Sequence, residues 1–325
     1  MKTPMRTLAW VAGAAALCSA TLSAAQTYPV KPIRIVVPVQ PGGGLDPQAR
    51  LLGRKFHESM GQPVVVENRP GANGMLGTEY VAKSPADGHT LLCAAASLAS
   101  AVTLYRNLPF DVQRDLAPVS NFAVVPLFVV ANPGLAANNV QELIALAKKN
   151  PGKLSYSSPG SGGLAHLGTE MFSSIAGIKM LHVPYKGAAP AVADVVAGRI
   201  DLIFDSVSTS GPLVRSGKLK AIAIASAKRA SGAPDVPTIA ESGLPGFEAT
   251  YWLGWFAPGG TPMPVLRALN TEIRQFMQSP DMSKRVIDMG GYVAANESPE
   301  EFAAYLKTDS ARWIKVIRDT GMTLD

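Results

Sequence analysis

The sequence predicts an α/β fold of two domains, one inserted in the other, and three observations carry that expectation. Continuous β-branched runs alternate with amphipathic segments of helical period. Glycine turns stand where these runs hand over to helices. Two further strand-like segments, FAVVPLFVVANP from Phe122 and FEATYWLGWFAPGG from Phe247, break the alternation on either side of a self-contained block.

The chain has 325 residues, 47% of them hydrophobic and 17% charged, which is a composition for folding rather than disorder. Residues 1–25 stand apart. Lys2 and Arg6 precede an apolar run through Leu17, and small residues at Ser23 and Ala25 precede Gln26, the pattern of a secretory leader cut after Ala25. The stretch from Leu8 to Leu17 is too short for a bilayer span, which needs about 20 residues. Leu17 is bulkier than a lipidation site at Cys18 demands, so Cys18 is expected to leave with the leader. Cys93 is then alone, and no internal disulfide is expected. Loss of Lys2 and Arg6 turns the formal +6 into +4, and no basic stripe carries interleaved aromatics, which argues against a nucleic-acid partner.

The first element, IRIVVPV from Ile33, has the uninterrupted β-branched character of a strand buried on both faces. PGGGLDPQAR follows. Asp46 suits an N-cap and Pro47 a first helical position, after which Ala49, Leu52, Phe56 and Met60 repeat at helical spacing until Gly61. A strand near Val64, a helix from Gly74 and a strand at HTLLCAAA from His89 continue the alternation. Next come a helix over 140–149, a strand over 154–157, a helix over 164–176 and a strand over 178–183. A helix at PAVADVVAG, a strand at RIDLIFD, a helix starting at Ser206 and a strand at KAIAIA complete the block. Alternation of this kind argues for parallel sheets. The two exceptional segments, about 125 residues apart, are read as paired crossings between domains, with two ordinary edge strands of one sheet as the alternative. On the first reading residues 127–247 form the inserted domain and 26–126 plus 248–325 the other. SPEEFAAYLKTDSARWIKVIRD closes the chain as a helix. Ser298, Pro299 and Glu301 make its capped start, and Phe302, Leu306, Trp313 and Val316 an apolar face that is expected to pack on the first domain.

Chemistry concentrates in two glycine loops. Gly42, Gly43, Gly44, Leu45 and Asp46 lie between a strand and a helix, where backbone N–H groups and the helix end suit an anion; the same residues also suit a tight turn that binds nothing. SSPGSGGLAHLGTEMF repeats the arrangement, with hydroxyls at Ser157, Ser158 and Ser161. Its Gly160-to-Ala165 stretch fits GxGxxA, but the acidic residue that a dinucleotide needs about 20 positions on is missing, so no cofactor is expected. His166 and Glu170, four apart and off the apolar stripe, are placed to pair. His57, His89 and His182 lack metal-ligand spacing, and HExxH and CxxC are absent, so no metal is expected. GxSxG is also absent, which counts against a secreted hydrolase using His166, Asp205 and a cleft serine. Asp205 suits either a histidine partner or the cap of the next helix.

Four blocks carry a family resemblance: YPVKPIRIVVPVQPGGGLDPQAR, VVVENRPGANGMLGTEYVAKSPADGHTLL, SYSSPGSGGLAHLGTEMF and HVPYKGAAPAVADVVAGRIDLIFD. In that order they resemble the Bug family, the substrate-binding proteins of tripartite tricarboxylate transporters, over nearly all of the exported chain. The resemblance implies a periplasmic binding protein type II fold with a two-strand hinge, a small carboxylate ligand and a membrane permease as partner. It also implies a monomer, no enzymatic activity, and a ligand held through backbone amides and hydroxyls. Carried over by motif, it puts Gly43, Gly44 and Asp46 of PGGGLD at the cleft, with Ser161, Gly162, Gly163 and His166 of SPGSGGLAH. Tyr185 of VPYKG, Asp205 and Ser206 of FDS, and Ser97 of LLCAAASLAS complete the set. Val39 and Gln40 replace the Phe and small residue common at the first loop, and His89 replaces a common Tyr, so the ligand itself is not inherited from the family. A binding protein that reports to a sensor instead of a permease fits the same residues.

Overall fold

The computed structural model describes residues 28–42, 45–96, 98, 108–288, 290–294 and 298–320; the expected leader and Gly43, Gly44 and Ser97 lie outside them. β1 (Ile33–Val37) buries Ile33, Ile35, Val36 and Val37 and exposes only Arg34, so β-branched side chains fill both of its faces. It pairs in parallel with β2 (Val64–Asn68) and β3 (Thr90–Ala95). Between β1 and β2, α1 (Asp46–Met60) lays Ala49, Leu52 and Phe56 into the core and ends at Gly61, whose φ of 71° suits glycine. A short 3-10 turn at Ala72–Gly74 leads into α2 (Met75–Ala82), which returns the chain to β3.

β4 (Leu116–Ala131) is 16 residues long and serves two sheets. Up to Pro126 it pairs antiparallel with β9 (Thr250–Pro258). From Leu127 it pairs with β7 (Leu202–Ser206) and, through residues from Phe128 on, with β8 (Lys220–Ile224), both antiparallel. β5 (Ser155–Ser158) joins β7 on one side and β6 (Leu181–Pro184) on the other, in parallel, to give the order β2-β1-β3-β9-β4-β7-β5-β6. The expectation of parallel sheets is therefore corrected at the crossing, where β4 and β9 run antiparallel to their neighbours. Around the second half lie α3 (Val140–Lys149), α4 (Leu164–Ala176), α5 (Ala188–Val196) and α6 (Val207–Arg215). This is the two-domain α/β fold of type II periplasmic binding proteins, with two strands running between its halves.

Three further elements refine the sequence reading. α7 (Met263–Met277) and α8 (Pro280–Asp288) occupy a stretch that the sequence reading passes over, although α7 buries Leu266, Leu269, Ile273 and Phe276 at helical spacing. Buried Asn270 fixes α7 to β4 by donating to the Val119 carbonyl, 2.8 Å. α9 (Pro299–Thr320) starts with the expected capping box: Glu301 N–H donates to Ser298 Oγ, 3.1 Å, and Ser298 N–H to Glu301 Oε2, 2.9 Å. It does not pack on the first half alone. It lies against β4 and α4, and its Phe302, Trp313, Val316 and Ile317 share one core with Val36 and Leu92 of the first half and Leu167 and Phe204 of the second.

Phe302 locks α9 onto the crossing. Trp252, Gly254 and Phe256 share one face of β9, and the Phe302 ring stands over the glycine, 5.9 and 5.4 Å from the rings on either side. Trp252 Nε1 then donates to Asp309, about two turns farther along α9, 2.8 Å. A Cβ on Gly254 would sit 2.6 Å from Phe302 Cζ. Gly254→Ala, a change that ordinarily steadies a strand, is thus expected to destabilise this protein, and Phe302→Ala to cost about 3–5 kcal/mol. In the Phe302→Ala background the Gly254→Ala penalty should vanish; urea denaturation curves in which the two costs simply add would contradict this packing.

Candidate functional site

The strand directions decide where the loops gather. β3 runs antiparallel to β9 from Leu92↔Phe256 to Ala95↔Leu253, so its carboxyl end approaches the point where β4 changes partner. Ala96 N–H continues this approach by donating to the Trp252 carbonyl, 3.1 Å. β7 runs from Ala131↔Leu202 to Leu127↔Ser206 and so ends at the same point from the other half. β1 is parallel to β3, and β5 to β7. The carboxyl ends of both sets therefore converge on one seam, the place where open α/β sheets take up ligands. His89, at the amino end of β3 against Asp87 and the Tyr28 ring, lies at the far end of the strand.

In the first half, Asp46 holds the end of its loop. The sequence makes it an N-cap, but Leu45 occupies that position and Asp46 is the first helical residue. The reason is its side chain, which turns back into the loop. Gly42 N–H donates to Oδ2, 2.9 Å, Arg50 Nε to the same oxygen, 3.1 Å, and Asn68 Nδ2 to Oδ1, 3.0 Å. Burial alone would raise the carboxyl pKa, but the bonds from Arg50, Gly42 and Asn68 outweigh it and hold the group below its ordinary value. Its oxygens are spent on the protein, so Asp46 shapes the loop.

In the second half, the loop after β5 is gripped by two histidines. Gly162 N–H, at φ 73°, donates to His166 Nδ1, 3.0 Å. The His166 ring stacks on His182, centroids 3.8 Å apart and planes within 11°. His182 Nε2 contacts Ser158 Oγ at 2.7 Å, and Ser158 Oγ donates to the Gly160 carbonyl, 2.9 Å. Burial pushes His166 down to about 4; burial and then the neighbouring His166 do the same to His182, also to about 4. His166 and Glu170 are not the pair that their spacing suggests: Glu170 instead accepts the Tyr156 hydroxyl. Gly163 stands at the N-cap of α4, which has no side-chain cap bond, and Ser161 is exposed nearby.

The remaining expected residues reach the same seam but are engaged in other bonds. Tyr185, bonded to the loop through its N–H to the Ser158 carbonyl, 2.9 Å, directs its hydroxyl to Asp194, 2.5 Å. Asp205 is buried and raised above its ordinary value by that burial, with Ser210 Oγ donating to it at 2.5 Å. It is not a helix cap; Ser206 caps α6 instead, accepting from Thr209 N–H, 3.1 Å. His182 and Tyr156 are the participants that the sequence reading leaves out. Their signal is the parallel register Tyr156↔His182, which exists only once β5 and β6 are paired. Among the described residues no group of three His, Cys, Asp or Glu side chains could hold a metal ion. Cys93 is fully buried, and that burial raises its thiol pKa and keeps it unreactive.

Residues 48–322 match the family model described as tripartite tricarboxylate transporter family receptor. A Pseudomonas sp. protein encoded in the tcbD–tcbE intergenic region is 40% identical over 313 residues, 96% of this chain and 93% of that one. The protein BugT of Bordetella pertussis is 39% identical over 302 residues, 92% of each chain. Among solved structures, R. palustris Rpa4515 with adipate superposes with a TM-score of 0.77 at 34% identity, covering 91% of this chain and 99% of that one. The periplasmic binding protein BugD gives 0.74 at 35%, covering 91% and 99%. MatC of Rhodopseudomonas palustris with bound malate gives 0.74 at 31%, covering 89% and 100%.

Asp46 offers the sharpest test of the first loop. Its carboxyl pKa is lower folded than unfolded, so its stabilisation is present above pH 3.8 and disappears as pH falls through the folded value. Asp46→Asn should therefore be less stable than wild type at pH 7, and the gap should close as the pH is lowered past 3.8. Parallel stability curves for the two proteins down to pH 2, a limit set at about two units below an ordinary Asp pKa, would show that the carboxylate does not hold the loop.

Proposed function

Because the chain belongs to the tripartite tricarboxylate transporter receptor family, we propose that it is a periplasmic solute-binding protein that captures a small organic carboxylate at the seam between its two halves. The observation that carries this reading is the convergence of strand ends on the point where β4 changes partner. The loops of the two halves follow strands that run toward that point, and in this reading closing the halves would bring both onto one ligand. The adipate and malate bound by related structures support a carboxylate as the ligand class.

The chemistry of capture follows from what each loop has left to give. Asp46 and His166 each consume one loop N–H, at Gly42 and Gly162, and in doing so hold those two glycines in place. The uncapped first turn of α4 and the exposed Ser161 hydroxyl then supply donors and the positive end of a helix. In this reading Gly43, Gly44, Ser97, Ser161, Gly163 and Ser206 contact the ligand, while Asp46, Gly162, His166, Tyr185 and Asp205 hold the surrounding frame. Donors without formal charge bind an anion without the strong ion pair that would slow its release. The partition into 26–126 plus 248–325 and 127–247 follows the partner switch in β4. Export through residues 1–25, a monomeric state and delivery to a permease of the same transporter type complete the proposal.

Thermal denaturation in the presence of mono-, di- and tricarboxylates, aromatic acids and amino acids should find at least one acid that raises the melting temperature. Saturation at 100 times Kd adds about 2.7 kcal/mol of stability. His166→Ala should weaken that acid's binding while leaving the unliganded protein folded. Stabilisation by neutral sugars or cations alone, with none by any carboxylate, would overturn the proposal.

A further inference from the structure

We infer that His182 is a positioning residue for the second glycine loop. Stacked on His166 and bonded to Ser158, it fixes residues 159–163 in the shape the ligand meets, and the arrangement holds only while His166 is neutral. What the loop is for rests on the carboxylate-binding reading; how it is held does not.

The hydrogen bonds dictate where the protons are. A serine hydroxyl has one proton, and that of Ser158 goes to the Gly160 carbonyl. The 2.7 Å contact with His182 must then be an imidazole Nε2–H donating to the Ser158 oxygen. Gly162 N–H can only donate, so His166 Nδ1 is bare and its proton sits on Nε2. Two neutral rings of defined tautomer thus grip the loop at two points: His182 through Ser158 at the Gly160 carbonyl, and His166 at the Gly162 N–H. The stack makes the two grips one unit, because each ring sets the plane of the other.

Protonation breaks this unit at a specific atom. A proton on His166 turns Nδ1 into a donor facing the Gly162 donor, and the loop loses that bond. A proton on His182 leaves the bond to Ser158 intact but puts a charge 3.8 Å from the neighbouring ring. The surroundings keep both rings neutral at pH 7. The Tyr156 ring of β5 stacks against both histidines, and α9 adds Trp313, Val316 and Ile317 to the core that α4 shares. Glu170 accepts the Tyr156 hydroxyl, and its charge favours a proton on His182, but burial and the neighbouring His166 outweigh it. Burial accordingly moves the His166 transition down to about pH 4.

Nitrogen NMR of the full chain without ligand tests this, followed by amide exchange at Gly162 expressed as protection relative to the free peptide at each pH. At pH 7 both rings should show the Nε2–H tautomer. Gly162 protection should fall about fivefold or more as His166 takes up its proton, the effect of one hydrogen bond. His166→Asn keeps an acceptor near the Nδ1 position and cannot titrate, so its Gly162 protection should be independent of pH. His166→Leu should lack the protection at every pH. His182→Gln retains a donor at the Nε2 position and should preserve the protection at pH 7, whereas His182→Asn, too short to reach Ser158, should lose it with His166 still in place. Equal protection in the Gln and Asn variants would overturn the role of His182. Unchanged protection through the His166 titration would overturn the proton linkage. Since no ligand is present, either failure leaves the carboxylate reading standing, and an unresponsive carboxylate panel leaves this one standing.

Discussion

The whole molecule depends on one strand that changes its hydrogen-bonding partners midway. Over 16 residues β4 spans roughly 50 Å of extended chain. Its backbone groups are satisfied first by β9 and then by β7 and β8. An unpaired N–H or C=O at the changeover would carry a desolvation cost in a buried strand, and the bonds around Ala249 meet that need. Leu127 N–H reaches the Ala249 carbonyl, Ala249 N–H the Ala225 carbonyl, and Ala225 N–H the Leu127 carbonyl. The seam is therefore continuous in hydrogen bonding while the two halves on either side are separate sheets, which is the combination that lets strands serve as a connection and a pivot.

A second tie crosses the seam through apolar packing. α9 leaves neither half its own: its ring and aliphatic side chains fill a core contributed by both, and the Trp252–Asp309 bond anchors the helix directly on β9. Two other cores belong to one half each. The halves thus have independent interiors and a shared one, the latter under α9. Gly254 exists as glycine because Phe302 needs the space, which makes a backbone position in a connecting strand answerable to the final helix.

Both glycine loops follow one logic with different chemistry. Each spends a backbone N–H on an internal acceptor, Gly42 on the Asp46 carboxylate and Gly162 on the His166 imidazole. In the proposed function, such order would lower the entropy cost of presenting donors to an anion. The two anchors differ in their response to acid. The Asp46 carboxyl is held below its ordinary value by the bonds it accepts, whereas the His166 imidazole is kept neutral by burial.

Much of this was legible in the sequence because it is local. Helix starts at Pro47 and Ser298, the β-branched content of β1, the glycine that ends α1 and the two odd segments at Phe122 and Phe247 each declare themselves within a few residues. α7 was legible as well, from Leu266, Leu269 and Ile273, and needed only to be read. What sequence could not supply is whatever depends on register or on partners far along the chain. Tyr156 and His182 meet because β5 and β6 pair at that register, and the pairing turns a histidine with no motif into a neighbour of His166. Asp46 reads as a cap until Asn68, 22 residues on, and Gly42 are seen to compete for it and win. The antiparallel crossing, the bridging position of α9 and the neutral state of the two rings were likewise settled by tertiary packing. The sequence by itself determined which elements form and which loops lie between them, since propensity, capping and periodicity are short-range. Only the folded structure decided which side chains those loops can still offer, because hydrogen-bond capacity is finite and its use depends on neighbours that the chain order does not reveal.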